Sequence, residues 1–442
     1  MTNLAPATSA SPPSLGIHDL PAEILVLIFE EGGRLTLQDD HLPFAVLATH
    51  VCRLWRRVAL NTSSVWCSIP VHPLRPGLTE HFLSRSGRLP LDVCLHFKKV
   101  LKTESALATI FEHRRRWVNF YLRAGNGGGM YLVIQRLRAA GDSLPLLRHL
   151  GISVTAKPGT VGRVPEIFPD GDRPRGLESI TMHGTSCDFR SPIFSGLTHL
   201  NLSFFPRSMG IPKYATFAEL FRSAQHLTHL KLAGVFPNLT EGREYAEIEL
   251  PALHTLELVM KQDEDYVPLF FSIICAPALQ VLRFESRWVT TWSGFGYCVP
   301  IVSAKFAHLH TLSLVMATPG VSEDMVMKPE MFMCFPELRV LTLSAFHDYT
   351  LMHCFVKPWI AMYGAHEHAF LSIYEGTVFP KLDLLIVNAP FDTEEEIQQG
   401  GEDTLEEGIY VLGGLRLSCG LPMEVMLRPI FEEYVPDPLD VD

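Results

Sequence analysis

One spacing organises most of the chain: apolar-x-x-apolar-x-apolar, which returns ten times between Trp117 and Val387. It stands at Trp117-Phe120-Leu122, Leu147-Leu150-Ile152, Leu177-Ile180-Met182, Leu197-Leu200-Leu202 and Leu227-Leu230-Leu232. It continues at Leu253-Leu256-Leu258, Leu279-Leu282-Phe284, Leu309-Leu312-Leu314, Leu338-Leu341-Leu343 and Leu382-Leu385-Val387. Period-two alternation at the end of each unit predicts a short strand. The steps between first residues are 30, 30, 20, 30, 26, 26, 30, 29 and 44. Such self-similarity predicts stacked units sharing one core, because no unit buries its leucines alone. Pro145, Pro251, Pro277, Pro336 and Pro380 precede strands, where proline ends a helix and sets the turn. Helical patterns lie between strands at Met130 to Ala140, Tyr214 to Ala224, Tyr266 to Ile274 and Met327 to Met333. The step of 20 leaves no room for a full helix, and the step of 44 holds an insertion from Ser344 to Pro380.

Upstream, the pattern is helical. Asp19 is placed to cap a helix start, Pro21 suits its first turn, and Glu23 complements the positive helix end. Leu20, Ile24, Leu25, Leu27, Ile28 and Phe29 then cover more than the apolar stripe of about 100° that a one-sided surface helix needs. Part of that surface is expected to face a partner. Gly32 and Gly33 are expected to end this helix. Pro43 is expected to open a second one running through Phe44, Val46, Leu47, Val51, Leu54, Trp55 and Val58. Between the two regions, Leu78 to Ser86 reads as a helix closed by Gly87, Leu89 to Leu95 as a strand, and Ala106 to Phe111 as a helix.

The landmarks Leu20-Pro21-x-Glu23-Ile24-Leu25-x-x-Ile28-Phe29, Val51-Cys52-Arg53-x-Trp55-Arg56-x-x-Ala59 and Val65-Trp66 resemble the F-box in order and spacing. The connection from Glu30 to Leu42 is longer than the family pattern. The resemblance implies a docking surface for the Skp-type adaptor subunit of Skp-cullin-F-box ubiquitin ligases, made by Leu20, Pro21, Ile24, Leu25, Ile28, Phe29, Val51, Cys52 and Trp55, and it implies no catalytic residue. The repeating half resembles the irregular leucine-rich repeats behind many fungal F-boxes, with Leu144 to Ser153 (LPLLRHLGIS) typical of them. The asparagine that usually follows the third leucine is mostly missing. The expected fold is therefore α/β, an N-terminal helical F-box followed by a curved leucine-rich-repeat-like solenoid. Its divisions are a disordered tail (1–14), the F-box (15–69), a linker and solenoid cap (70–116), the solenoid (117–430) and a second disordered tail (431–442).

In such a solenoid the residues between the leucines face an open concave side. Stacking would align Tyr121, Gly151, Thr181, Asn201, Lys231, Glu257, Arg283, Ser313, Thr342 and Ile386 in a row on the order of 45 Å long at about 4.8 Å per strand. A row of that length and mixed charge suits a protein substrate, with Tyr121, Thr181, Asn201, Lys231, Glu257, Arg283, Ser313 and Thr342 as contacts. The function expected is a substrate-recognition adaptor of a ubiquitin ligase, not an enzyme. The alternative is a non-ligase interaction scaffold.

Composition narrows this further. The chain has 442 residues, 47% of them apolar, so it has material for a large core. Its most apolar stretch, Tyr266 to Leu279, is cut by Pro268 and Pro277 and is too short to span a membrane. Nine cysteines form no C-x-x-C pair, which argues against a disulfide framework and a zinc ribbon. A net charge of -11 disfavours nucleic acid. Cytoplasm or nucleus is the expected compartment, with Asn61, Asn201 and Asn238 as chance glycosylation matches and with no cofactor or metal. Gly125-Asn126-Gly127-Gly128-Gly129 lacks the lysine of a phosphate loop and reads as a turn. His366-Glu367-His368 does not converge on a metal in strand or helix. His199, His229, His254 and His310 recur within the strand motif and are expected to line a face. Lys98 to Lys102 and His113 to Arg116 are expected to be solvated helix faces, Phe391 to Gly408 an acidic surface loop, and Leu412 to Leu417 a last strand.

Overall fold

The computed structural model describes residues 17, 20–35, 42–71, 75–97, 103–125, 127–155, 166–168, 173–185, 188–204, 211–262, 265–316, 335, 337–345, 381–389, 409–411 and 423–429. Asp19, residues 327–333, 366–368, 391–408 and 412–417, and most of the insertion at 344–380, lie outside these. The chain divides into two units, one of residues up to 123 with 143–147, the other of 124–142 with 148 onward.

The first unit opens with helices α1 (Ala22–Leu35), α2 (Phe44–Val51) and α3 (Arg53–Asn61). Strand β1 (Ser68–Val71), α4 (Pro76–Arg85), β2 (Leu91–Phe97), α5 (Thr103–Glu112) and β3 (Trp117–Ala124) follow. The strands run in the order β1-β2-β3, with β1 parallel to β2 and Ser68 opposite Asp92. Two expectations are corrected. Gly32 and Gly33 do not stop α1, which continues to Leu35. The glycine serves packing instead: a Cβ on Gly32 would lie 2.6 Å from the Phe44 ring, so its absence admits α2. The second helix is two, because Cys52 is extended (φ -155°, ψ 175°) and its Sγ accepts a hydrogen bond from the Trp55 N–H at 3.5 Å, capping α3. Thiols seldom cap, which hid the break.

Aromatic side chains knit this unit. Phe29 packs tilted against Trp55 at 4.9 Å and Phe44 at 6.2 Å. Trp66 meets Phe82 edge-on at 4.9 Å and donates its Nε1–H to the Ala59 carbonyl at 2.7 Å. The Arg114–Arg116 turn is more than a solvated face. Arg116 donates to the Leu89 carbonyl at 2.8 Å and to Ser86 Oγ at 2.9 Å, and Arg114 Nε donates to Ser143 Oγ at 2.7 Å.

The second unit begins with α6 (Gly127–Ala140), whose first turn is the glycine run expected to be a turn. Its strands are β4 (His149–Val154), β5 (Ser179–His183), β6 (His199–Ser203), β7 (His229–Ala233), β8 (Ile248–Glu249), β9 (Thr255–Met260), β10 (Ile274–Cys275), β11 (Val281–Ser286), β12 (Thr311–Met316), β13 (Val340–Ala345), β14 (Leu384–Ala389) and β15 (Glu424–Pro429). Helices α7 (Tyr214–Ser223), α8 (Tyr266–Ile273) and α9 (Val289–Lys305) lie between them. Ten strands form one open parallel sheet in nearly sequential order, β4-β5-β6-β7-β9-β11-β12-β13-β14-β15, while β8 and β10 pair separately. The short step between β5 and β6 holds only a 3₁₀ turn, Pro192–Phe194.

Each repeated leucine has a fixed task. The first of each motif is buried ahead of the strand, and its N–H closes a turn onto the carbonyl three residues back, as in Leu227 to Ala224, Leu253 to Leu250, Leu279 to Ala276 and Leu309 to Phe306. The carbonyl of the residue after it accepts two N–H groups from the next unit. Thr198 takes those of Thr228 and His229, Thr228 those of His254 and Thr255, and His254 those of Gln280 and Val281. The second leucines stand opposite one another along the sheet, from Leu150 through Ile180, Leu200, Leu230, Leu256, Leu282, Leu312 and Leu341 to Leu385, none more than 2% exposed.

Past β5, β6 and β7 the chain takes a left-handed residue each time: Gly184 (φ 65°), Phe204 (φ 52°) and Gly234 (φ 66°). The amides of these three donate to Ser203, Ala233 and Val259 carbonyls, carrying the ladder one residue beyond the strands. Helix α9 is missing from the sequence reading, since Gly294, Gly296 and Pro300 argue against it. Burial of Trp292, Phe295, Val299 and Val302, each at most 1% exposed, prevails over that weak propensity. Strand β15 was also unanticipated, for Glu424-Val425-Met426-Leu427 lacks the leucine motif.

Candidate functional site

The first candidate surface lies on α1 and α2. Residues four apart on a helix share a face. Leu25 and Phe29 point inward and are 0% exposed, joined by Ala45, Ala48 and Trp55. Ile24 and Leu27 on α1 are 42% and 60% exposed, and Leu47 and Val51 on α2 are 41% and 54%. The nine residues expected to dock a partner therefore separate. Ile24, Val51 and Pro21 are open to solvent, and Leu20, Ile28 and Cys52 are half-buried. Leu25, Phe29 and Trp55 are corrected to core, because their side chains fill the space between the helices. Leu27 and Leu47 were missed as contacts. The signal for Leu27 was present, three residues after Ile24 on the face opposite Leu25 and Phe29. The Trp55 indole N–H is buried and has no acceptor among the described residues.

The second candidate surface is the side of the ten-stranded sheet away from the leucines. Gly151, Thr181, Asn201, Lys231, Glu257, Arg283, Ser313, Thr342 and Ile386 stand opposite one another in one row, and Met426 extends it. Tyr121 is 40% exposed on β3, in the first unit, where burial and then Asp92 and Cys94 push its phenol up. Lys231 Nζ lies 3.2 Å from Glu257 Oε2 across β7 and β9, and Arg283 pairs with Glu285 at 3.2 Å on one strand. Ser203 Oγ donates to Asn201 Oδ1 at 2.6 Å, and Asn388 Nδ2 donates to Ser344 Oγ at 2.8 Å.

Two residues before the second-row positions, at the strand starts, His199 and His229 stack with ring centroids 4.2 Å apart and planes 6° from parallel. Burial, then the neighbouring His229 and His149, hold the His199 imidazole below its ordinary value, with Glu178 opposing. At the far strand ends, the Phe204 ring meets His183 edge-on at 5.2 Å. Phe204 thus occupies a left-handed position that the strands on either side fill with glycine.

Neither surface has the features of a reaction centre. A cavity of about 240 Å³ in the first unit is bordered by Glu30, Ser64, Cys67 and Asp92. Burial, partly offset by Arg116, pushes the Cys67 thiol up to about 11, and burial likewise pushes Cys94 up to about 11, so neither is a thiolate nucleophile near neutral pH. Among the described residues no group of three or more His, Cys, Asp or Glu could hold a metal ion. No described helix is long and apolar enough to cross a membrane.

A comparison with curated proteins returned no match. Residues 17–69 match the F-box-like family model. That stretch takes in α1, α2, α3 and both aromatic anchors, Trp55 and Trp66, and the chain carries an F-box-like domain there.

Proposed function

We propose that this chain is a substrate-recognition adaptor of a Skp-cullin-F-box ubiquitin ligase, with the F-box-like domain docking a Skp-type adaptor and the open sheet face holding a protein substrate. The observation that carries the reading is the row of exposed apolar side chains, Ile24, Leu27, Leu47 and Val51, on a domain whose own core is already complete without them. Burying such a side chain contributes about 1.5–3 kcal/mol. The second unit is read as an irregular leucine-rich-repeat solenoid of fungal type, supported by the parallel in-register strands and the recurring entry turn. On this reading residues 15–69 are the F-box, 70–116 join it to the array, and 117–430 form the array. Ubiquitin transfer is carried out by other subunits, reached through a cullin, and this chain contributes proximity by raising the local concentration of its substrate.

The test is a pull-down with recombinant Skp-type adaptor, comparing the intact chain with a Leu27→Asp, Val51→Asp variant. Both positions are exposed, so the variant is expected to keep its circular dichroism spectrum and melting midpoint while losing about 100-fold or more in affinity. Unchanged binding by the folded variant, or no binding by the intact chain, would overturn the reading and favour a non-ligase scaffold.

A further inference from the structure

The stacked histidines carry a more specific inference, which rests on reading the sheet face as the substrate surface. Thr198 Oγ1 lies 2.9 Å from His199 Nδ1, and Thr228 Oγ1 lies 2.9 Å from His229 Nδ1. Each hydroxyl has one proton, and each gives it to a carbonyl of the preceding unit: Thr198 to Glu178 at 3.2 Å, Thr228 to Thr198 at 3.0 Å. Each Oγ1 must then accept from the adjacent Nδ1–H. A neutral imidazole carries one proton, so both rings are fixed as the Nδ1–H form and both Nε2 atoms are acceptors. Among the described residues neither Nε2 has a hydrogen-bond partner. Because the rings are 4.2 Å apart and 6° from parallel, the two Nε2 lone pairs lie side by side and aim the same way.

The geometry points to this pair as a recognition subsite for an arginine side chain of the protein partner. A metal ion does not fit, since parallel lone pairs do not converge on one atom. A guanidinium edge does, with two nitrogens about 2.3 Å apart meeting acceptors about 4 Å apart at a tilt of about 20° from each lone pair. A single ammonium midway between the rings would need a tilt of about 45°. The surrounding charges are largely settled among themselves. Arg148 and Glu178, ahead of the pair, are 3.9 Å apart, and Lys231, two residues beyond His229, is held by Glu257. His149 faces the pair from β4 and, with burial, disfavours a charge on His199, keeping the acceptor form. As pH falls, protonation converts both acceptors to donors and places positive charge against the guanidinium, so recognition is lost.

The experiment is long-range proton–nitrogen NMR on the full chain labelled at histidine, with Nα-acetylarginine amide and Nα-acetyllysine amide as probes. The expected result is the Nδ1–H form at both rings and a saturable Nε2 shift with the arginine probe, about tenfold tighter than with the lysine probe. That response should vanish at pH 5.5 and in a His199→Gln, His229→Gln variant. A Thr198→Val, Thr228→Val variant should keep the rings and lose the fixed tautomer. An Nε2–H form at either ring, no response to arginine, equal response to the two probes, or arginine binding that survives in the histidine variant overturns the assignment. None of these outcomes depends on adaptor binding, so failure here is distinguishable from failure of the ligase reading.

Discussion

Single residues decide where this chain departs from what its pattern implies. Gly184 shows how sharply. A Cβ there would fall 2.0 Å from the Val154 carbonyl oxygen, and φ is +65° besides. Gly184→Ala is expected to cost about 3 kcal/mol or more, read as a drop in the urea midpoint. Such a glycine is invisible as a requirement until β4 and β5 are side by side. His199 gives a pH signature. Its folded value lies below the ordinary 6.5, so the unfolded chain binds the proton more readily. The stability it contributes is fully present above pH 6.5 and is lost as pH falls through its lower folded value. The urea midpoint should therefore fall between pH 7.5 and pH 5.5, and fall less in His199→Gln. The residue types at His199 and His229 were legible in the sequence as a recurring T-H-L. Their stacking was not, because it depends on the pairing of β6 with β7.

At the scale of elements, periodicity was a good guide where burial and propensity agree. Helices α4, α5, α7 and α8 lie close to where the apolar spacing puts them, and every strand carrying the leucine motif is present. The failures have local causes. Cys52 breaks a helix that apolar spacing alone would continue, by turning extended and capping α3 through its sulfur. A serine hydroxyl is the better cap, so Cys52→Ser is expected to be about 1 kcal/mol more stable than Cys52→Ala in chemical denaturation. Equal midpoints for the two would mean that the sulfur contact does nothing for α3. Helix α9 fails for the opposite reason, since its glycines and proline disguise an apolar face that matters only once α8 and β11 are there to cover it.

For the sheet as a whole, the two faces have different energetic weights. The leucine face is dry, and Leu256→Ala in its middle should cost about 2–5 kcal/mol. The open face carries half-exposed ion pairs, each worth at most about 1 kcal/mol. A Lys231→Ala, Glu257→Ala, Arg283→Ala variant should therefore stay within about 2 kcal/mol of the parent and be less damaging than the single leucine change. A larger loss in the triple variant would mean that the open face is part of the core, and its reading as a binding surface would fail.

The sequence by itself determined the repeating strands, the row from Gly151 to Ile386 and the F-box-like landmarks, because each rests on local spacing that one unit expresses without reference to another. Only the tertiary structure decided which apolar residues are left over. Leu25, Phe29 and Trp55 are as greasy as Leu27, Leu47 and Val51, and spacing along one helix does not say which face its neighbours will cover. It also decided the histidine pair, the left-handed Phe204 and the fit of Phe44 over Gly32, since each arises between segments that meet only after the chain has folded.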